Sequence, residues 1–354
     1  MGFFNRFKNK QDYSLPRGAH LLAVKSVNPL SEEAVQIEFD VPTELQDKFL
    51  FKPGQYLNLA LDINGEKIRR SYSICSGTQQ GLCIGVKALK NGRASSYLQQ
   101  ISVGTNLVVF EPEGSFIWNP EHKNVLAIAA GSGITPILSM LKTAGNRANF
   151  HLLYGNKSEQ TALFLEELKA LENTSVQLYY SRQSHPDAIS GRIDEEQLKK
   201  VLKENLQLLQ ADAFFLCGPL AMVEPAEKTL QFFGVNPSKI HKELFFVEQN
   251  NEVKLDGKQF SAKSNVKVMI DGEIASFQMQ GQEKSILELA EKAGLDAPFS
   301  CRGGVCCSCR AKVLKGSAAM RINHSLTESE VAQGYVLTCQ AYATSSELIL
   351  SYDE

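Results

Sequence analysis

The chain has 354 residues, of which 43% are hydrophobic and 21% are charged. This composition is ordinary for globular proteins, and the length is enough for two or three domains with cores of their own. The 37 basic and 39 acidic residues give a net charge of −2. This charge argues against a nucleic-acid-binding function, because there is no basic excess to neutralise phosphates.

Residues 1–17 begin basic and turn polar, without an apolar segment long enough for a signal peptide or a membrane span. We expect a loose N-terminal tail there. Residues 18–119 then contain six short apolar segments separated by turns such as Pro-Gly and Asn-Gly. Short strands at this density predict an antiparallel β-barrel, with one helix near residues 94–100.

The pattern changes at Val125, where strands and helices begin to alternate. A continuous apolar segment at residues 125–130 is followed by a glycine-rich turn and a helix, and a later helix is predicted at residues 162–171. Continuous apolar strands separated by helices are typical of a parallel sheet that is buried on both faces. We therefore predict an α/β domain over residues 120–246.

A polar segment at residues 247–263 predicts a linker. Beyond it, residues 264–354 contain a hairpin at Asp271-Gly272 and an amphipathic helix that ends at Gly294. Two further strands follow. These features together predict a third domain of the α+β class.

Four cysteines of this third domain have the spacing C-x4-C-x2-C, with the fourth far downstream; they are Cys301, Cys306, Cys309 and Cys339. This is the spacing of plant-type 2Fe-2S proteins. The paired glycines Gly303 and Gly304 would let backbone N–H groups approach the cluster sulfurs. The spacing therefore predicts an iron-sulfur cluster, which carries one electron at a time.

Zinc and disulfides are the alternative uses for these cysteines. Structural zinc sites usually combine two close cysteine pairs, whereas here three cysteines cluster and one stands alone. Cys307 falls outside the C-x4-C-x2-C register, so we assign it as a spectator thiol. The other three, Cys75, Cys83 and Cys217, are scattered without a disulfide framework, which favours the cytoplasm.

Two segments of the predicted barrel indicate a flavin dinucleotide site. Arg70, Tyr72 and Ser73 end a strand, although an amphipathic strand without a ligand could have the same sequence. The small residues from Gly92 to Ser96 open a helix, where backbone N–H groups and the helix dipole can hold a pyrophosphate. The Arg70 guanidinium would add charge-assisted hydrogen bonds to the same group.

The α/β domain contains two turns of the kind that bind nucleotides. The segment from Gly131 to Pro136 follows an apolar strand, but Pro136 stands where the dinucleotide fingerprint has its third glycine. The segment from Cys217 to Pro219 ends the last parallel strand, where open α/β sheets bind ligands. For this second segment, an ordinary strand-to-helix turn is an equal alternative.

In this order, and followed by the cysteine motif, these segments resemble the ferredoxin-NADP reductase superfamily. Residues 309–316 and 334–340 are most similar to a subgroup with a C-terminal ferredoxin, the reductase components of phenylacetyl-CoA epoxidases. The resemblance implies a multidomain fold made of an antiparallel β-barrel FAD domain, an α/β parallel-sheet NAD(P) domain and an α+β (β-grasp) 2Fe-2S ferredoxin domain. It also implies FAD, a 2Fe-2S cluster and NADPH as cofactors.

The resemblance assigns roles to individual residues. Tyr72 would lie against the flavin ring and Ser73 near its N5 atom, and we regard both as catalytic. Phe245 matches the aromatic residue that covers the flavin, although Phe246 follows it and leaves the stacking residue open. The other cofactor residues are Arg70, Gly92, Ala94, Ser95 and Ser96 for FAD, and Gly131, Gly133, Ile134, Thr135, Pro136, Cys217, Gly218 and Pro219 for the nicotinamide half.

The choice between NADPH and NADH depends on charge. Ser181 and Arg182 follow the third parallel strand and resemble the family's site for the 2′-phosphate of NADPH, with Arg192 as a second possible cation. The second parallel strand leads to Lys157 without an acid that would bind a ribose 2′-hydroxyl. We therefore favour NADPH, with NADH as the alternative.

The resemblance implies an NAD(P)H-dependent oxidoreductase that passes electrons through FAD and the 2Fe-2S cluster to a redox partner protein. The partner it suggests is a di-iron oxygenase such as phenylacetyl-CoA epoxidase; a Rieske dioxygenase, a desaturase or a hybrid-cluster protein are alternatives. A redox-sensing or binding module is an alternative from another class. We expect the loop from Gly303 to Val305 to be exposed and to form part of the docking surface, and we expect no nucleic-acid or membrane binding.

Overall fold

The computed structural model describes Leu15 and residues 18–246, 263–270, 272–281, 283–295, 297–299 and 301–354. Most of the predicted tail, nearly all of the predicted linker, and Asp271 of the predicted hairpin lie outside these residues. Within them the chain forms three large sheets, one after another in the sequence. None of the helices in this described part is both long and apolar enough to cross a bilayer.

Six antiparallel strands form the first sheet: β1 (Ala19–Ser31), β2 (Ala34–Asp40), β3 (Tyr56–Ile63), β4 (Glu66–Ser73), β5 (Leu82–Lys87) and β6 (Asn106–Phe110). Their order is β4-β3-β6-β1-β2-β5, and a bridge between Ile74 and Ile84 joins the two ends into a barrel. Side chains such as Leu22 and Ile37 fill the interior, because successive strand residues point to opposite faces. Helix α1 (Arg93–Leu98) follows β5, near its predicted position.

Six parallel strands form the second sheet: β7 (Asn124–Ala130), β8 (Asn149–Asn156), β9 (Thr174–Tyr180), β10 (Ala188–Ser190), β11 (Ala213–Pro219) and β12 (Ile240–Phe246). Their order is β10-β9-β8-β7-β11-β12, so the chain changes direction across the sheet at β7. The carboxyl ends of β7 and β11 flank this switch point, which is where open α/β sheets bind ligands.

Helices cover both faces of the second sheet. Helices α2 (Ile134–Ala144) and α3 (Leu165–Lys169) pack in one apolar cluster, and α4 (Glu195–Glu204) and α5 (Leu220–Phe232) pack in another. Helix α3 is shorter than the predicted helix at residues 162–171, because Phe164 adopts a left-handed backbone conformation with φ +58° directly before it.

The third domain contains a five-stranded mixed sheet: β13 (Ser264–Ile270), β14 (Glu273–Met279), β15 (Arg310–Lys315), β17 (Tyr335–Leu337) and β19 (Glu347–Ser351). Its order is β14-β13-β19-β15-β17, and only the β13–β19 pair among these described strands is parallel. Strands β16 (Ala318–Met320) and β18 (Ala341–Ala343) form a separate pair. Helices α6 (Ile286–Lys292) and α7 (Glu328–Ala332) complete the domain. The three sheets confirm the predicted fold class.

Candidate flavin, nucleotide and iron-sulfur sites

The loop between α6 and β15 brings the four motif thiols together in two pairs. The thiols of Cys301 and Cys306 are hydrogen-bonded to each other, and so are those of Cys309 and Cys339. Cys309 directly precedes β15 and Cys339 follows β17, and these two strands are neighbours in the sheet. Antiparallel pairing therefore carries the distant fourth cysteine to the loop.

This donor set fits a 2Fe-2S cluster, in which each of two irons takes two thiolates. The amide N–H groups of Gly303 and Val305 donate to the Cys301 sulfur over 3.3 and 3.5 Å. Such bonds stabilise negative charge on a ligating sulfur. Within the described residues, no three His, Cys, Asp or Glu side chains form a site for a metal ion. The two-pair arrangement is the one that a binuclear cluster requires.

Hydrogen bonds also determine the protonation of the Cys301 thiol. The Cys306 thiol, followed by the Val305 and Gly303 amides, lowers the pKa of Cys301 to about 6, although burial acts in the opposite direction. The lowered pKa favours the thiolate form of Cys301. The thiolate is the form of cysteine that binds metals.

Cys307 lies in a different environment from its neighbour Cys306. Its backbone has φ +56°, and its thiol is hydrogen-bonded to the Ser325 side chain. The residue packs against the apolar core of the third domain, and burial raises the pKa of its thiol. These contacts support the predicted spectator role, which stays a prediction.

A cleft of about 1230 Å³ lies where the barrel, the α/β domain and the third domain meet. It is lined by many of the predicted site residues: Arg70, Tyr72, Ser73, Gly92, Ala94, Ser95, Thr135, Phe245, Cys301 and Cys306. Residues predicted for the flavin and residues predicted for the cluster thus share one cavity.

Ser96 is not among the residues that line the cleft, and its predicted role at the pyrophosphate stays a prediction. Its side chain is exposed, and its amide donates to the Gly92 carbonyl over 2.9 Å, as the first bond of helix α1. The Ser96 amide is therefore used within the helix, while its side chain stays exposed. The Ser95 hydroxyl is also used locally, because it donates to Gly92 and accepts from the Leu89 amide.

The residues predicted to surround the flavin ring lie near the end of β4. Ser73 is 4% exposed and is paired in register with Tyr56 of β3. Tyr72 is half-buried, and burial raises the pKa of its phenol against the opposing effect of Arg70. Phe245 also lines the cleft, whereas the side chain of Phe246 lies outside the described part of the chain.

Glu243 is a cleft residue that sequence reasoning did not select. Burial raises the pKa of its carboxyl to about 8, and its Oε2 atom has no hydrogen-bond partner in the described residues. It is paired in register with Cys217 across β11 and β12, and burial also raises the pKa of that thiol. Strand β12 also carries His241 and Lys242, so nothing in its sequence singles out Glu243.

The predicted nucleotide turn lies at the switch point of the second sheet. The turn Gly131–Gly133 connects β7 to α2, and Gly131 has φ +54°. Gly133 approaches β11 so closely that a Cβ atom would lie 2.2 Å from the Cys217 carbonyl oxygen. Pro136 lies in the first turn of α2, where a missing N–H removes no helical bond. This turn therefore touches the second predicted turn.

Ser181 and Arg182 lie apart from the cleft, directly after β9. The Ser181 amide donates to the Asn156 carbonyl over 3.0 Å, and the Arg182 amide donates to the Lys157 carbonyl over 2.9 Å. These bonds fix the backbone beside the end of β8 and leave the Arg182 side chain exposed. An extended dinucleotide has two distant ends, so a site for its 2′-phosphate at Ser181 and Arg182 is expected to lie away from the flavin residues.

The loop from Gly303 to Val305 is less exposed than predicted. Val305 is only 8% exposed and packs in the same apolar cluster as Met222 and Leu244 of the α/β domain. Gly304 is buried as well, and a Cβ atom there would lie 3.0 Å from the Ile322 carbonyl oxygen. The prediction that these two residues form an exposed docking surface is therefore wrong.

Three family models match the chain in the order of its sheets. An oxidoreductase FAD-binding domain matches residues 21–118, an oxidoreductase NAD-binding domain matches residues 127–228, and a 2Fe-2S iron-sulfur cluster binding domain matches residues 268–344. These matches confirm FAD, a pyridine nucleotide and a 2Fe-2S cluster as the predicted cofactors.

Similar proteins match along nearly their whole length. The chain is 36% identical to a component of the 1,2-phenylacetyl-CoA epoxidase of Escherichia coli K12, over 94% of this chain and 98% of that protein. It is 29% identical to the ferredoxin reductase component of 3-ketosteroid-9-alpha-monooxygenase from Rhodococcus rhodochrous, over 96% of this chain and 99% of that protein. The structure of phthalate dioxygenase reductase matches with a TM-score of 0.62 and 25% identity, over 94% of this chain and 98% of that protein.

Proposed function

Because the chain belongs to the ferredoxin-NADP reductase superfamily, in the group with a C-terminal 2Fe-2S domain, we propose that it reduces an oxygenase of the phenylacetyl-CoA epoxidase kind. The chain is an NAD(P)H-dependent electron-transfer reductase. The similarity to the phenylacetyl-CoA epoxidase component supports this acceptor, and the internal electron path is supported by one cleft in which Tyr72 and Ser73 lie beside Cys301 and Cys306. This placement supports direct transfer from flavin to cluster.

The protein's contribution is position and electrostatics. Bound FAD accepts a hydride from NAD(P)H and releases electrons singly, and a 2Fe-2S cluster carries single electrons. We assign Tyr72 and Phe245 to the flavin ring and Ser73 to its N5 atom. Arg70 and the first amides of α1 would bind the pyrophosphate.

The nicotinamide half would enter at the switch point, between the turn at Gly131 and the end of β11. Gly133 lets the two backbones pack against each other there, which holds the two predicted nucleotide turns side by side. The raised pKa of Glu243 keeps a proton on its carboxyl at neutral pH, so this buried group adds no negative charge beside the reacting rings.

The acceptor is tested by adding oxygenase subunits and phenylacetyl-CoA to the purified, cofactor-loaded chain. We expect NADPH oxidation to rise only when both are present. A matched reaction with the Cys306→Ser variant should show no rise. If the wild-type chain reduced cytochrome c but ignored the oxygenase, the partner assignment would be wrong and the reductase activity would stand.

We infer NADPH as the preferred donor from the exposed guanidinium of Arg182, which forms no ion pair with any described residue. Arg182→Ala is expected to raise KM for NADPH by about tenfold, the effect of one charge-assisted hydrogen bond. KM for NADH should change by less than about twofold, because NADH lacks the phosphate. Steady-state kinetics with both nucleotides checks this, and an equal loss with both would exclude the assignment.

We also propose the domain boundaries as residues 1–17 for the tail, 18–119 for the barrel, 120–246 for the α/β domain, 247–263 for the linker and 264–354 for the ferredoxin domain. The order of the sheets supports them. None of the eight cysteines forms a disulfide, which supports a cytoplasmic location. Recovery of the protein from another compartment by cell fractionation would contradict that location.

A further inference from the structure

Tyr56 connects the flavin side of the barrel to the cluster loop. Its hydroxyl donates to the Cys306 carbonyl oxygen over 3.0 Å and lies 3.1 Å from the Ser308 hydroxyl. Across β3 and β4, Tyr56 is paired with Ser73, the residue proposed to face flavin N5. One residue therefore contacts both the strand of the proposed flavin site and a proposed cluster ligand.

The surroundings of Tyr56 hold its ring in this place. The residue is 5% exposed, and its amide and carbonyl groups both bond to the backbone of Glu113, over 2.9 and 3.0 Å. Gly114 makes room for the ring, because a Cβ atom there would lie 3.0 Å from it. A variant that lost only the hydroxyl would therefore keep the ring where it is.

A second contact between the barrel and the loop lies on the other side of the cysteine motif. Arg69 is 9% exposed, and its guanidinium lies 4.1 Å from the centre of the Phe110 ring and 5.6 Å from the centre of the Phe299 ring. Phe299 stands two residues before Cys301. The barrel thus contacts the cluster loop near its start, at Phe299, and near its end, at Cys306. The second contact, made by Tyr56, is to a proposed cluster ligand.

We propose that Tyr56 is a positioning residue for electron transfer from flavin to cluster, acting through the backbone of Cys306. The inference rests on the proposed reductase function. The positive end of the O–H dipole points toward the loop, and donors near a cluster favour its reduced, more negative form. In the step itself the flavin loses one electron and the cluster gains it, while Tyr56 exchanges neither an electron nor a proton.

The test is Tyr56→Phe in the full-length chain loaded with FAD and cluster. We expect the cluster's electron affinity to fall about fivefold, the effect of one ordinary hydrogen bond. At 59 mV per tenfold for one electron, this is a potential lower by about 40 mV. The rate of flavin-to-cluster transfer in anaerobic stopped-flow should fall by about twofold, because roughly half of the lost driving force raises the barrier. FAD content and NADPH-driven ferricyanide reduction should stay within about twofold of wild type, because the flavin site keeps its residues.

The matched control is Tyr179→Phe, the same chemical change in the second sheet, where the hydroxyl donates to Gln177 over 3.2 Å. It should leave the cluster potential unchanged. A fluorinated tyrosine at position 56 is a stronger hydrogen-bond donor, so it should raise the cluster potential. If Tyr56 only filled space, the fluorinated residue would leave the potential unchanged.

A cluster potential and a transfer rate equal to those of wild type in Tyr56→Phe would overturn the proposed role. A potential that failed to rise with the fluorinated residue would overturn it as well, even if Tyr56→Phe did not fold. If the wild-type chain itself showed no cluster reduction by NADPH, the reductase function would fail instead, which separates the two outcomes.

Discussion

Cys306→Ser is expected to stop electron transfer to cytochrome c, while Cys307→Ser, the same change one residue later, leaves that activity intact. The Cys306 thiol is paired with that of Cys301, whereas the Cys307 thiol is bonded to Ser325. Loss of a residue that supports a metal ligand lowers metal affinity or activity by about 10- to 100-fold. Loss of the ligand itself should therefore lower the activity by more than about 100-fold. A serine oxygen is a harder ligand than thiolate and suits iron-sulfur chemistry poorly.

The measurement is anaerobic NADPH oxidation with two acceptors, together with the visible spectrum and iron content of each variant. Ferricyanide takes electrons from the flavin directly, so its reduction should continue in Cys306→Ser and show that the first two domains are intact. An inactive Cys307→Ser variant beside an active Cys306→Ser variant would reverse the ligand assignment.

Gly133→Ala is expected to remove NAD(P)H-dependent activity. The added methyl group would lie 2.2 Å from the Cys217 carbonyl oxygen and 2.6 Å from its carbon. Both atoms belong to the backbone of β11, so a side-chain rotation cannot relieve the clash. Either the turn or the strand end must move, and a displacement of about 1 Å at a cofactor site costs on the order of 100-fold in rate.

Gly155→Ala provides the matched control in the same sheet. A Cβ atom there would meet the Ile193 side chain at 3.4 Å, an ordinary contact. Steady-state kinetics with NADPH and a thermal-unfolding curve should be collected for both variants. We expect kcat/KM to fall only in Gly133→Ala, with FAD retained in both. Normal NADPH kinetics in a folded Gly133→Ala protein would contradict the assignment of this turn to the nicotinamide half.

Local patterns predicted much of this molecule correctly. Short apolar segments between Gly-containing turns indicated the barrel, and the continuous apolar segment at β7 indicated the parallel sheet, because strand burial leaves a direct signature in hydrophobic periodicity. The spacing of Cys301, Cys306 and Cys309 indicated the cluster, since ligands on one loop depend on local geometry. These features need no knowledge of how the domains contact one another.

The features that were missed depend on contacts between distant segments. Val305 follows two glycines, a pattern that predicts an exposed loop. In the structure, apolar residues of the α/β domain pack against it. Tyr56 and Glu243 stand in ordinary strands, and only the packed structure places them at the cleft.

Electrons that enter from NADPH are expected to leave through the cluster. The most direct test mixes the FAD- and cluster-loaded chain with NADPH in the absence of oxygen and records the electron paramagnetic resonance of the frozen sample. We expect the signal of a reduced 2Fe-2S cluster in most chains, and no such signal in Cys306→Ser. A fully bleached flavin beside a cluster that stays oxidised would contradict the claim.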